Sequence, residues 1–177
     1  GYGHTGREGR NTEVKHITAA GGSKGGGVTT TINDEVSDKG QGSQLAQKLI
    51  QQEQDLALLG PTLSNAAVGA HPIAEKLKTP VLAVSNTGIN IVPNCNAPDP
   101  TPCKYVFRDS LGEQTAIPAN IKSYAEDAHP KTGVLLVAQD DKFASDGGKI
   151  VQETVAQYSI NLPQTIKCNK AEADLSP

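Results

Sequence analysis

The residues best placed for chemistry are small polar side chains in two short turns, each of which follows an apolar run. Ser64 and Asn65 follow the first run, and Asn86 and Thr87 follow the second. Their hydroxyl and amide groups could hydrogen-bond a carboxylate or an ammonium group without any charged side chain. Unpaired N–H groups at the amino end of a helix would also attract a carboxylate. Helix capping alone explains either turn equally well, so both interpretations stay open on composition.

No catalytic constellation accompanies these turns. Asp140 and Asp141 are adjacent carboxylates, but neighbouring residues of an extended segment point to opposite sides, which favours capping and turn roles over joint catalysis. The serines have no histidine at a recognisable spacing, and the chain has no G-x-S-x-G motif. No pair of histidines has metal-ligand spacing on one helix face, the four being His4, His16, His71 and His129. We therefore expect a protein that is not an enzyme and that needs neither a metal nor another cofactor.

The cysteines indicate the redox environment of the chain. Cys95 and Cys103 flank the proline-rich loop NAPDPTP, and a disulfide between them would close a short loop in an oxidising compartment. The alternatives are two free thiols or half of a metal site, and a metal is disfavoured because no histidine or second cysteine pair lies nearby. Cys168 is left over; it is a buried free thiol, or its partner lies outside this sequence.

The bulk composition argues against two other classes of protein. A net charge of −3 and an aromatic content of 3% provide neither the basic face nor the stacking platform of a nucleic-acid binder. No stretch approaches the roughly 18 apolar residues that would span a membrane. No signal peptide stands at Gly1, which says little because a trimmed chain would have lost one. We expect no nucleic-acid partner and no membrane span.

The elements that must position the two turns alternate between strand and helix. The predicted strands are Val28–Asn33, Leu56–Leu59, Val81–Val84, Lys104–Arg108, Gly133–Gln139 and Asn161–Lys167. The predicted helices are Asn11–Ala20, Gln44–Gln52 with Ser43 as its cap, Ala66–Leu77, a helix within Ser110–Ala128, and Lys149–Tyr158. Gly1–Arg10 is predicted to be a loop, and Leu56–Leu59 to be buried on both faces. This order predicts an α/β fold with parallel sheets, in which ligands bind beyond the carboxyl ends of the strands.

Several stretches taken together resemble one family. They are AAGG, DLALLGPTLSNAAVGAHPIAEKLKTPVLAVSNT, YVFRDS and VLLVAQDDKFASDGGKIV. They stand in the same order and register as in the type I periplasmic binding proteins, specifically the branched-chain amino-acid type that serves ABC importers. The match covers about Ala19 to Pro177, which corresponds to the amino-terminal half of such a protein. It implies Rossmann-like three-layer lobes with parallel sheets, here incomplete.

The proline-rich segment from Pro93 to Pro102 is the predicted boundary at which the chain would pass from one α/β lobe into a second. Residues 1–103 would form the first α/β lobe without its first strand, and residues 104–177 would form the hinge crossing and part of the second lobe. The family's acidic residue that pairs with a ligand ammonium would fall beyond Pro177. We therefore expect a fragment, a partner chain that completes the cleft, or a domain that has lost transport binding.

The same resemblance assigns ligand contacts. Ser64 corresponds to the residue that binds the α-carboxylate, and Ser85–Thr87 to the turn whose backbone and hydroxyl groups hold carboxylate and ammonium. Phe143 corresponds to the second-lobe aromatic residue that covers the ligand. Asn65 and Asn86 replace small or hydroxyl residues of the family, and Phe143 replaces a tyrosine. These departures also admit a different small carboxylate, such as an aromatic acid, or an amide.

The function implied by the resemblance is capture of a small ligand outside the cytoplasm. The chain would be a periplasmic or secreted solute-binding protein that closes over an amino acid or a related carboxylate and presents it to an ABC permease. The alternative is the ligand-binding sensory ectodomain of a receptor with the same fold. A downstream transmembrane helix in the full gene would distinguish the two.

Overall fold

The computed structural model describes residues 2–91 and 103–172 of the chain. They fall into two compact units, Gly1–Asp34 and Glu35–Pro177. The helices are α1 Tyr2–Ala19, α2 Lys39–Gln51, α3 Ser64–Leu77, α4 Glu113–Ala128 and α5 Lys142–Gln157. The strands are β1 Leu58–Leu59, β2 Val81–Ala83, β3 Val106–Arg108, β4 Thr132–Ala138 and β5 Asn161–Cys168. No helix in the described ranges is long and apolar enough to cross a membrane.

The first unit differs from its prediction at both ends. The predicted loop over Gly1–Arg10 is wrong, because α1 begins at Tyr2. The predicted strand Val28–Asn33 is also wrong, since its backbone is irregular. β-branched residues form a strand only where a neighbouring strand accepts their backbone hydrogen bonds, and no such pairing is described for this segment. The predicted helix end is confirmed at Gly21 and Gly22, where φ is +96° and +79°.

The first sheet has the order β1-β2-β3, and both of its pairings are parallel. Val81, Val106 and Ala67 of α3 belong to the buried core on one side of this sheet. On the other face, Leu59, Leu82 and Phe107 are register partners and exposed. The prediction that the strand Leu56–Leu59 is buried on both faces is therefore wrong. Leu56, which precedes β1, is 91% exposed.

The second sheet pairs β4 with β5, also in parallel, with a register irregularity between Thr132 and Val134. Helix α5 packs on β4 and on α4 and buries Ile150 and Val155. All described pairings between named strands are parallel, which confirms the predicted α/β class with parallel sheets.

Two predicted helix starts are wrong for a shared reason. Helix α2 begins at Lys39 with Asp38 as its cap rather than Ser43, and α5 begins at Lys142 rather than Lys149. Both extra turns contain glycines, which favour loops when only the sequence is considered. In the structure these glycines allow close packing. A Cβ at Gly42 would lie 2.6 Å from the Ala66 carbonyl oxygen.

Two predictions fall on residues outside the described ranges. The lobe boundary from Pro93 to Pro102 lies in the undescribed segment 92–102, so the division at residue 103 stays a prediction. The predicted Cys95–Cys103 disulfide involves Cys95 in the same segment, and the structure lends it no support. Cys168 is half-buried at the end of β5, with its Sγ 3.6 Å from the Val137 carbonyl oxygen.

Candidate functional site

Five of the six predicted site residues lie at the carboxyl side of the first sheet, in the turns near the starts of helices α3 and α4, and Phe143 lies in α5. Ser64 is the first residue of α3 and is buried. Its Oγ accepts a hydrogen bond of 3.1 Å from the N–H of Gly88, in the turn that follows β2. The structure therefore brings the two polar turns together as expected. The Ser64 hydroxyl is itself part of the contact between these turns.

The turn after β2 is tied to the turn before α3 by two further side chains. The Ser85 hydroxyl donates to the Thr62 carbonyl oxygen at 3.0 Å, and the Asn86 amide donates to the Pro61 carbonyl oxygen at 2.7 Å. Ser85 is exposed, whereas Asn86 is 1% exposed. The Oδ1 atom of Asn86 is buried without a hydrogen-bond partner among the described residues. These two side chains hold the site together rather than standing free in it.

The amino end of α4 joins the same turn through its backbone. The N–H of Glu113 donates to the Thr87 carbonyl oxygen at 3.0 Å, and the Ser110 hydroxyl donates to the Asn86 carbonyl oxygen at 2.8 Å. Thr87 itself is half-buried. Its hydroxyl group makes no hydrogen bond within the described part of the chain and so remains available to a ligand.

Asn65 links α3 to the amino end of α5. Its Oδ1 accepts from the Lys142 N–H at 2.7 Å, and its Nδ2 donates to an Asp141 carboxylate oxygen at 3.4 Å. Asp141 caps α5 by accepting from the Ala144 N–H at 3.0 Å, which confirms the predicted capping role of that residue. The Asn65 amide is thus occupied by α5 instead of being free for a ligand.

Phe143 lies in the first turn of α5, directly after the residue that Asn65 holds. Its side chain is 54% exposed. An exposed aromatic ring at the amino end of a helix can cover the apolar part of a small molecule. Within the described residues, hydrogen bonds connect the segments that contain all six predicted ligand residues. Apart from the buried Oδ1 of Asn86, they leave the Thr87 hydroxyl without a hydrogen bond, and the ring of Phe143 is exposed.

Sequence reasoning missed two charged residues at this site. Arg108 ends β3, and its Nη1 donates to the Gly88 carbonyl oxygen at 3.2 Å. Glu113 begins α4 and is buried, and burial is the main reason that its pKa rises to about 7. A charged residue at the carboxyl end of a strand or the amino end of a helix was the signal available in the sequence. It is too common a signal to single out either residue.

A surface cleft of about 380 Å³ lies beside this network but is a different feature. Among the predicted ligand residues only Asn65 borders it, the other lining residues being Ser37, Asp38, Lys39, Val68, Asp140, Lys142 and Lys170. Two of its three lysines already have ionic partners: Lys142 pairs with Asp146, and Lys170 pairs with Asp141 at 3.9 Å. We therefore do not assign the cleft as the ligand site.

The arrangement is suited to binding. The amino ends of three helices contribute the positive ends of their dipoles, Thr87 contributes a hydroxyl group and Phe143 an apolar surface. No group of three or more His, Cys, Asp or Glu residues with metal-site geometry is found in the described ranges.

A family model described as periplasmic binding protein matches residues 2–177. No curated protein sequence matches the chain.

Solved structures give the same indication. The branched-chain amino acid transporter substrate-binding protein LivJ from Streptococcus pneumoniae, in complex with isoleucine, is similar at 21% identity and a TM-score of 0.85, over 98% of this chain and 47% of that one. A solute-binding protein of an ABC transporter from Rhodopseudomonas palustris BisB5, in complex with 3,4-dihydroxybenzoic acid, is similar at 21% identity and a TM-score of 0.76, over 98% and 46%. The leucine-binding protein LivK from Thermotoga maritima is similar at 17% identity and a TM-score of 0.74, over 85% and 40%.

The chain spans less than half the length of each of these structures. At sequence identities of 17–21%, the similarity to these structures shows the fold alone.

Proposed function

The chain belongs to the periplasmic binding protein family, and from this premise we propose that it is a solute-binding component of an ABC importer. It would act in the periplasm or outside the cell. Its ligand would be a small amino acid or a related carboxylate, and it would deliver that ligand to an ABC permease. Binding would be non-covalent, without chemical conversion of the ligand.

One observation carries the proposal: hydrogen bonds link the turn after β2 to the amino ends of α3 and α4, and another hydrogen bond links α3 to the amino end of α5. Gly88 N–H meets Ser64, and Glu113 N–H meets the Thr87 carbonyl oxygen. Lys142 N–H then meets Asn65. Three helix amino ends in one place produce a positive potential without a cluster of cationic side chains, which favours a carboxylate.

The unoccupied groups support the class of ligand. The Thr87 hydroxyl would bind the carboxylate, and the exposed ring of Phe143 would cover an apolar body. The isoleucine and 3,4-dihydroxybenzoic acid in the similar structures combine a carboxylate with such a body. Arg108 adds a cation whose guanidinium has one hydrogen bond in the described residues, to the Gly88 carbonyl oxygen. We propose that these groups, together with the lobes 1–103 and 104–177, form the ligand site.

The test is calorimetry of Thr87→Ala with isoleucine, leucine, benzoate and 3,4-dihydroxybenzoate as ligands. We expect the wild-type protein to bind at least one of them, and Thr87→Ala to bind it at least tenfold more weakly, since loss of a hydrogen bond to a charged group costs about 1.5–3 kcal/mol. The melting temperature should change little, because the hydroxyl group makes no hydrogen bond within the described residues.

Thr132→Ala is the matched control. Thr132 is exposed at the amino end of β4, the opposite end of the strand from the proposed site, and its substitution should leave affinity unchanged. Equal affinity in wild type and Thr87→Ala would show that the site is misassigned. Failure of the wild type to bind any of the four compounds would contradict the ligand class.

A further inference from the structure

Glu113 carries a carboxyl group that the proposed function does not use. The residue is 3% exposed. Both of its carboxyl oxygens are buried, and neither has a hydrogen-bond partner among the described residues. Buried carboxylates are normally paired or hydrogen-bonded, because removing their charge from water is costly. A buried carboxyl without a partner in a native structure therefore calls for a physical explanation.

The position of this group connects two parts of the proposed site. The Glu113 N–H donates to the Thr87 carbonyl oxygen at 3.0 Å. Its side chain packs on α5, where a Cβ at Gly147 would lie only 3.1 Å from Glu113 Oε1. The glycine leaves the space that the carboxyl group occupies. Glu113 therefore lies between the Thr87 turn and the first turns of the helix that carries Phe143.

The charges around Glu113 come from α5 and from β3. Helix α5 and its cap contribute Asp141, Lys142 and Asp146, and β3 contributes Arg108. The Lys142 ammonium is already paired with Asp146, which is 5% exposed. Burial raises the pKa of Glu113 to about 7, and Asp146 and Asp141 add to the rise, while Lys142 and Arg108 oppose it.

Ionisation of Glu113 would therefore strain the contact between α4 and α5. The new negative charge would repel Asp146 and compete with it for Lys142. Both residues lie in the first two turns of α5, on either side of Phe143 in the sequence. The backbone of Lys142 is also the group that Asn65 holds, at 2.7 Å. A change at Glu113 would thus be transmitted to two predicted ligand residues.

We infer that Glu113 is a positioning residue whose uncharged carboxyl group lets the amino end of α5 pack against α4, and that its ionisation loosens Phe143 and the Asn65–Lys142 contact. The effect on ligand affinity rests on the proposed function. The effect on α5 does not, because it concerns the ligand-free protein alone. Ligand capture would accordingly be stronger at pH 6 than at pH 8.

The first experiment uses ligand-free protein. Hydrogen exchange of the backbone amides of residues 142–150 is measured at pH 6 and pH 8 and corrected for the intrinsic exchange rate. In the wild type we expect about a tenfold loss of protection over this interval, as linkage predicts for one group that titrates near 7. Glu113→Gln, which mimics the protonated form, should keep its protection at both values.

Glu126→Gln is the matched control, because Glu126 lies on the same helix but is exposed, in a surface pair with Lys122. Like the wild type, Glu126→Gln should lose about tenfold of its protection between pH 6 and pH 8. Equal loss of protection in wild type and Glu113→Gln would overturn the inference, as would protection in the wild type that does not change with pH. If Glu113→Gln does not fold, the test is the titration midpoint of the Glu113 carboxyl group in the wild type, measured by carbon-13 NMR. A midpoint below 5 would overturn the inference.

The second experiment measures isoleucine affinity over the same interval. We expect about tenfold weaker binding at pH 8 than at pH 6 in the wild type and no such change in Glu113→Gln. Affinity that does not depend on pH in the wild type would overturn the link to ligand capture. If isoleucine does not bind at either pH, the proposed ligand is contradicted, and the exchange result still decides the role of Glu113.

Discussion

At the scale of single residues, most of the polar side chains predicted to bind the ligand instead form hydrogen bonds to backbone groups of neighbouring turns. Ser64, Ser85 and Asn86 each make a hydrogen bond to a backbone group of a neighbouring turn, and Asn65 bonds to the start of α5. Ligand contact and helix capping were equally good interpretations of the sequence. The structure adds a third role, which is to fix the turns relative to one another.

Ser64→Ala is therefore expected to lower stability. The substitution leaves the N–H of Gly88 buried without its acceptor, a loss of about 1–3 kcal/mol in the free energy of unfolding. Urea denaturation followed by circular dichroism measures it. Ser85→Ala is the control, since its exposed hydroxyl can be replaced by water, and it should change stability by less than about 0.5 kcal/mol. Equal effects of the two substitutions would contradict the role given to Ser64.

Glu113 should also give stability a recognisable dependence on pH. Its pKa is raised by burial from 4.5 to about 7 in the folded protein. The folded state therefore holds its proton more tightly than the unfolded state. Stability from this group is fully present below pH 4.5 and is lost as the pH rises through about 7, by up to about 3 kcal/mol.

Melting temperatures of the wild type and of Glu113→Gln at pH 5 and pH 8 test whether stability falls as the pH rises. The variant should gain more stability relative to the wild type at pH 8 than at pH 5. His71 acts in the opposite direction in both proteins, because burial lowers its pKa and stability is lost as the pH falls below about 6.5. A difference between the two proteins that does not change with pH would contradict the prediction.

At the scale of elements, the glycines of α2 and α5 predict loops in the sequence but allow close packing of helices in the structure. Gly42 and Gly69 lie where α2 and α3 approach closely, and a Cβ at Gly69 would overlap the Lys39 carbonyl oxygen. Gly148 has the same role against Val137, at 2.8 Å from Val137 Cγ2. Sequence rules treat such residues as helix breakers, so α2 and α5 were predicted too short. The five strands of the two sheets could be predicted because their apolar runs do not depend on such contacts.

Gly69→Ala tests this interpretation directly. In an isolated helix, alanine is more favourable than glycine by about 1 kcal/mol. At Gly69 the added methyl group must push α2 away, so we expect a net loss of about 1–3 kcal/mol. Gly9→Ala in α1 is the control, because nothing lies within 4 Å of a Cβ there, and it should be neutral or stabilising. Urea midpoints measure both, and a stabilising Gly69→Ala would contradict close packing.

At the scale of the whole molecule, the described core belongs to the second unit. Every buried hydrophobic residue in the described ranges lies between Ala46 and Ile160, whereas the first unit is Gly1–Asp34. The two sheets are each covered on one face, and their exposed side chains include Leu82 and Leu136. Parallel sheets are usually covered on both faces, and the similar structures are about twice as long as this chain.

Removal of residues 1–34 should therefore leave the rest of the chain folded. We expect cooperative thermal unfolding with a midpoint within a few degrees of that of the full chain, measured by circular dichroism. Removal of residues 1–57 is the control, because it deletes α2 and its close contact with α3, and it should lower the midpoint strongly. A noncooperative transition after the shorter deletion would show that the first unit is part of the core.

The sequence by itself determined the order of strands and helices from α2 to β5, the parallel sheets, the family and the two polar turns that come together. These follow from short-range patterns, such as apolar runs and polar turns, that any chain of this class must contain. Only the tertiary structure decided how far α2 and α5 extend, which sheet faces are covered, and that Asn65 reaches α5. It also revealed Glu113, because the cost of burying a carboxyl group depends on neighbours that are far away in the chain.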